Sequence, residues 1–270
     1  MDALITSALM FALGAAVGSF INVVVYRLPV GQSLIHPASH CPRCGHILTA
    51  YDNVPILAWL WLSGRCRYCR GVIASRYPLT ELACGLLFLV SFWRSGWTWW
   101  TPAHWVLLSF LLALALIDLD TLTLPDSLTQ PGLVAGVAAQ GLIPALQGEA
   151  LTSVLTAMVV GIFGAVLGLW LYEVISLLAA LALGQAALGG GDAKLAAMLG
   201  AWLGWQGLLL SSFLACGLGA LLGGGAIALG WLQRRQPMPF GPFLAIGAAV
   251  TVGWGEELIH VYQSLFFPGL

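Results

Sequence analysis

The sequence predicts an all-α polytopic membrane protein with about 7–8 transmembrane helices and one small polar insertion after the first helix. Three observations carry this. Hydrophobic residues make up 60% of the 270 residues and charged residues only 8%, a balance foreign to water-soluble domains. The apolar residues fall into long uninterrupted runs rather than alternating patterns. The polar exception lies at about 27–78, where six of the ten Lys and Arg are found: Arg27, Arg43, Arg65, Arg67, Arg70 and Arg76.

The first run, 4–26, is long enough to span a bilayer and lacks the basic start of a cleavable signal, so it reads as the first transmembrane helix. Further apolar segments follow at 79–94, 103–117, 127–147, 151–183, 193–205, 207–232 and 240–262. Segment 103–117 is short for an untilted crossing, and 193–205 has the length of a re-entrant piece. If the first span runs outside to inside, loops 27–78, 118–126, 184–192 and 233–239 are cytoplasmic. Eight of the ten Lys and Arg then lie in these loops, and a ninth, Lys194, stands at the cytoplasmic edge of 193–205. The tenth, Arg94, sits beside the Trp cluster of 97–105, which reads as an interfacial belt on the far side. Arginines placed among Cys and Pro between two spans argue against nucleic-acid binding.

Within the insertion, CPRCGH at 41–46 and CRYCR at 66–70 hold two C-x-x-C pairs with 21 residues between them. That spacing suits a four-thiolate zinc site of Cys41, Cys44, Cys66 and Cys69, each pair forming a tight turn. A cytoplasmic location disfavours disulfides, and the segment has too few apolar residues to fold without a staple. His40 and His46 flank the first pair as substitute ligands. Cys84 and Cys216, inside spans, read as packing residues.

Two carboxylates at the ends of apolar segments stand out: Asp118 in ALIDLDTLTLPD and Asp192 in LGGGDAKLAAM. An acid at the edge of a bilayer loses hydration and is functional by default. Two acids converging on one water supply a base and an acid, the equipment of an aspartyl protease. The loop assignment puts both at the same membrane face. Asp118 directly continues its apolar run, whereas Asp120 and Asp126 lie further into the loop. Residues two apart on a helix point about 200° from each other, so Asp118 and Asp120 cannot both face Asp192. Gly189 and Gly191 beside Asp192 suit an extended substrate paired in strand fashion, with Lys194 at the same edge snorkelling to the interface or tuning Asp192. Pro125 reads as a helix start and Asp126 as its cap. Glu81 suggests an ion pair with an arginine such as Arg76, and Glu173 lies inside the long 151–183 segment.

GSFINVVVYRLP at 18–29, the two Cys pairs, SRYPLTEL at 75–82, IDLDTLTLPD at 117–126, GGGDAKL at 189–195 and PFGPFLAIGA at 239–248 together resemble the bacterial type IV prepilin peptidases. These belong to the intramembrane aspartyl proteases with a Gly-x-Gly-Asp signature; here Gly190 occupies the x position, where a larger apolar residue is expected. The resemblance implies three parts: a first helix at 1–26, a cytoplasmic four-cysteine zinc module at 27–78 and an intramembrane peptidase bundle at 79–270. It implies cleavage of the short basic leader of type IV prepilins or type II secretion pseudopilins, after a glycine, at the cytoplasmic face of the bacterial inner membrane. Asp118 and Asp192 would be the catalytic pair. It also implies N-methylation of the new N-terminus with S-adenosylmethionine as donor. Nothing in the chain resembles a soluble Gly-rich methyl-donor site. A presenilin-like protease without methyl transfer, a proton-coupled transporter and a zinc-anchored scaffold are the competing readings.

Overall fold

A computed structural model describes residues 2–183, 189–231, 233 and 238–267. Among them the fold is helical, with only isolated bridges, at His40–Ile47 and Arg65–Val72, in extended pairing. The long helices are α1 (Asp2–Arg27), α3 (Arg76–Ser95), α4 (Trp100–Thr121), α5 (Asp126–Leu146), α6 (Leu151–Leu183), α7 (Gly190–Ala228) and α8 (Gly241–Phe266). Between α1 and α3 lie a 3₁₀ turn, Ala50–Asn53, and the short helix α2 (Leu57–Trp61). Five of the long helices, α1, α4, α6, α7 and α8, are long and apolar enough to cross a membrane. The expected polytopic helical architecture is therefore present. The cytoplasmic loops read at 184–192 and 233–239, with Arg234 and Arg235, fall largely outside the described residues.

Two compact units make up the chain, Met1–Ala113 and Leu114–Leu270, so the division falls within α4. In the first unit α1 packs along α3. Asn22, read from sequence as a packing residue, donates its side-chain N–H to the Tyr77 carbonyl at 3.1 Å. Trp105 Nε1 donates to the Phe88 carbonyl at 3.1 Å, and the two rings stack with centroids 5.0 Å apart. Glu81, expected to seek an arginine, accepts the backbone N–H of Ile56 at 2.7 Å. That bond ties the insertion to the buried Glu81 in the second turn of α3, through a residue held at the unusual φ of 62°.

In the second unit α7 packs against α5, α6 and α8. Trp202 of α7 donates its indole N–H to the Gly132 carbonyl of α5 at 2.8 Å, and Gln140 of α5 donates to the Trp202 carbonyl at 2.8 Å. Ser211 of α7 donates to the Thr251 hydroxyl of α8 at 3.0 Å, wholly buried. Such side-chain bonds between apolar helices matter because hydrocarbon supplies no hydrophobic drive between helices. The sequence places a break between 193–205 and 207–232; the structure places it at Gly204, whose φ of 66° interrupts α7. The piece before the break rises only about 20 Å, short of the roughly 30 Å of hydrocarbon.

Candidate active site and metal centre

The insertion folds as two matching turns. In the first, Gly45 N–H donates to the Cys41 carbonyl at 2.8 Å and Cys41 N–H to the His46 carbonyl at 2.9 Å. In the second, Arg70 N–H donates to the Cys66 carbonyl at 2.9 Å and Cys66 N–H to the Gly71 carbonyl at 2.8 Å. Each turn carries one buried and one exposed cysteine, and the four sulfurs lie within 4.8 Å of one another. Cys41 Sγ and Cys69 Sγ are 3.8 Å apart, near the sulfur–sulfur separation of a tetrahedron with bonds of about 2.3 Å. All four cysteines are free of disulfides. Backbone N–H groups of Cys44 and Arg43 pull the Cys41 thiol down to about 6, toward the thiolate that a metal requires.

Neither neighbouring histidine joins the cluster. His40 Nδ1 lies 3.0 Å from the Ala38 carbonyl, and the His46 ring rests on Tyr68 with centroids 3.5 Å apart. A further lock fixes the turns. Asp52, whose side chain is 3% exposed, accepts Arg67 Nε at 2.8 Å. Burial works against its charge, but hydrogen bonds from Arg67 and Thr49 hold its carboxyl below the usual carboxylate range.

The second site lies within Leu114–Leu270. Helix α4 runs on to Thr121, past the expected end at 117, so Asp118 and Asp120 both belong to its last turn. They face differently, as residues about 200° apart must: Asp118 is 5% exposed, while Asp120 points outward. Asp192, 8% exposed, occupies the first turn of α7. Leu124, just beyond α4, presses on Gly191, so the end of α4 that carries Asp118 meets the start of α7 that carries Asp192.

Each acid is gripped at Oδ2 by a backbone N–H, from Gly189 to Asp192 at 3.2 Å and from Gly241 to Asp118 at 2.9 Å. The second bond links residues 123 apart in the chain, and Gly241 is where α8 begins. A Cβ at Gly241 would stand 2.7 Å from Asp118 Oδ2, which only glycine avoids. In the sequence Gly241 stands out only as part of the PFGPF segment, with no evident task of its own. The signal was an N–H at a helix start, ready for an anion.

The glycine run differs from the extended edge expected. Only Gly189 is extended, with φ −77° and ψ 150°; Gly190 and Gly191 already belong to α7. Gly191 is needed because Leu124 presses on it, 2.9 Å from where a Cβ would be. Among the described residues, a Cβ at Gly190 would meet nothing within 4 Å. The side chain of Lys194, 46% exposed, pairs with Asp126, Nζ to Oδ1 at 2.5 Å. Asp126 is the first residue of α5, with Pro125 at the N-cap, so its carboxylate serves this ion pair and not the capping role expected.

Tyr172, which sequence reasoning passed over for its neighbour Glu173, belongs to this surround. Glu173 is exposed; Tyr172, one position and about 100° away on the helix, is 4% exposed and within electrostatic range of Asp192. Its hydroxyl donates to Ser212 Oγ at 2.9 Å, and its ring centroid lies 6.3 Å from that of Phe240, just before Gly241.

A helical bundle with a buried acid at the end of α4 and another at the start of α7, together with a cluster of four cysteines, has the parts that an intramembrane aspartyl protease requires. Residues 12–95 match the bacterial peptidase A24 N-terminal domain, and residues 105–224 match the type IV leader peptidase family. The prepilin leader peptidase/N-methyltransferase of Aeromonas salmonicida is 38% identical, covering 95% of this chain and 94% of its own length. Proteins of the same name from Stutzerimonas stutzeri and Pseudomonas aeruginosa are each 37% identical, covering 93% of this chain and 91% of theirs. No solved structure matches. The chain belongs to the type IV leader peptidase family.

Proposed function

We propose that the protein cleaves the leader of type IV prepilins or related pseudopilins and methylates the new N-terminus, from a multi-pass position in the inner membrane. The peptidase reading is carried by one observation: Asp118 and Asp192, both buried, at the end of α4 and the start of α7, are each anchored at Oδ2 by a backbone N–H. Oδ1 of each acid is then assigned to a shared water. One carboxylate takes a proton from that water as its oxygen adds to the scissile carbonyl carbon. The other, protonated, passes its proton to the amine nitrogen as the C–N bond breaks, so water's atoms end up on the two products and the dyad keeps one proton. The scissile segment must be extended for its carbonyl to be reached, and Gly190, beside which no described residue stands within 4 Å of a Cβ position, supports its approach near Asp192. Lys194 borders this edge, paired to Asp126.

The four thiolates fit a structural zinc ion, which would cross-link the two turns of a segment poor in apolar residues. The donor for methyl transfer is S-adenosylmethionine, as the names of the relatives imply, and no described residue is assigned to it. The basic segments and the shared end of α4 and start of α7 support a cytoplasmic site.

The test is the purified chain in lipid nanodiscs, given a prepilin and isotopically labelled S-adenosylmethionine. The expected products are a free leader ending in glycine and a labelled N-methyl group on the mature N-terminus. An intact prepilin overturns the peptidase reading, and a cleaved but unlabelled product removes the methyl transfer alone.

A further inference from the structure

The cysteine-bearing insertion presents an apolar face that none of its own elements covers. Leu57, Leu60 and Trp61 stand at i, i+3 and i+4 of α2, hence on one side of that helix, and are 56%, 58% and 62% exposed. Ala58, on the other side, is buried, and Trp59 turns inward to donate its indole N–H to the Ile73 carbonyl at 3.1 Å. The 3₁₀ turn packed beside α2 adds Tyr51, 71% exposed. So large an outward apolar group is costly in water unless a partner covers it.

Charge identifies the partner. Between Arg27 and Arg76 the only acidic residue is Asp52, and Arg67 already neutralises it. Arg43, Arg65 and Arg70 remain at the exposed surface, with Arg65 four residues beyond the end of α2. The insertion is also tethered at both ends to helices of membrane-spanning length, α1 ending at Arg27 and α3 starting at Arg76. A Trp and two Leu exposed on a module whose free charges are arginines, tethered to the membrane-length helix α1, have the composition of an interfacial anchor on anionic lipid.

We propose that the Leu57–Leu60–Trp61 face of α2, with Arg43, Arg65 and Arg70, docks the cysteine-bearing insertion onto the anionic bilayer surface flanking α1 and α3. The lipid holds the insertion in one orientation, and the phosphates contribute through general attraction rather than a built pocket. This goes beyond leader cleavage and stands independently of which residues are catalytic.

The test places the photo-crosslinker p-benzoylphenylalanine at Trp61 in the full chain, in nanodiscs of phosphatidylcholine with or without phosphatidylglycerol. Irradiation is expected to give a phospholipid adduct on the peptide containing α2, enriched with phosphatidylglycerol. Joint replacement Arg43→Gln, Arg65→Gln and Arg70→Gln should lower the docking equilibrium about fivefold per arginine. A cross-link to a second copy or to another segment of the same chain, or no adduct, overturns the proposal. Because position 61 could disturb folding, hydrogen exchange of the unsubstituted chain gives a second reading. Amides of 57–64 should exchange more slowly in phosphatidylglycerol than in phosphatidylcholine nanodiscs, and equal exchange overturns it.

Discussion

Cys41, Cys44, Cys66 and Cys69 converge because two short turns, each closed by its own backbone hydrogen bonds, come together within one stretch of about thirty residues. Asp118, Asp192 and Gly241 converge because α4, α7 and α8 bring their ends together across 123 residues. Local geometry builds the first site, and helix packing builds the second. The thiolate cluster should therefore fail by losing its fold, and the acid pair by losing its alignment while the helices remain.

The largest effect expected follows from removing a thiolate. Cys41→Ser or Cys66→Ser deletes a buried ligand, and structural zinc contributes on the order of 10 kcal/mol of apparent binding energy to folding in small domains. Protein in the membrane should fall sharply and the remainder should lack stoichiometric zinc, read by immunoblot and metal analysis. Normal accumulation without metal would remove the structural role and with it half of the contrast.

A smaller change sharpens the other half. Gly241→Ala puts a methyl group 2.7 Å from Asp118 Oδ2, displacing the carboxylate without unfolding α8, whose N–H is kept. Cleavage should fall on the order of tenfold to a hundredfold, mainly in kcat, with zinc content unchanged. An unchanged kcat would show that Gly241 does not set the position of Asp118.

Smallest is Lys194→Ala. Its ion pair with Asp126 is about half exposed at each partner, so stability should change by no more than about 1 kcal/mol and the thermal midpoint hardly move. A loss of cleavage as large as that of Gly241→Ala would instead place Lys194 at the substrate, as its position in the sequence first suggested.

The same contrast explains what was legible in the chain. Apolar runs located the helices within a few residues, because length and hydrophobicity suffice for elements that lie in lipid. Segment 151–183 coincides with α6, and 127–147 differs from α5 by one residue at each end. The four-thiolate site was legible for a similar reason, since its spacing is its geometry. Helical periodicity showed that only one of Asp118 and Asp120 could face Asp192, and the continuity of the apolar run with the family resemblance, not periodicity, favoured Asp118. The Gly241 contact with Asp118 and the inward turn of Tyr172 were not legible, because they depend on which helix ends meet. The glycines beside Asp192 were read as one extended edge because glycine permits many conformations. Leu124, fixed only by tertiary contact, shows that Gly191 is there for close packing. Lys194 and Asp126 became partners in the same way, across 68 residues.

The account depends most on Asp118 and Asp192 acting as one unit on one water. Cleavage of a prepilin by Asp118→Asn, Asp192→Asn and the double variant, at equal protein and equal zinc content, tests this directly. Groups that work as a unit lose nearly everything at the first substitution. Both single variants are expected at the same residual rate, with the double variant no slower. A single variant that keeps more than about a tenth of the normal rate, or a double variant slower by the product of the two single losses, would contradict it.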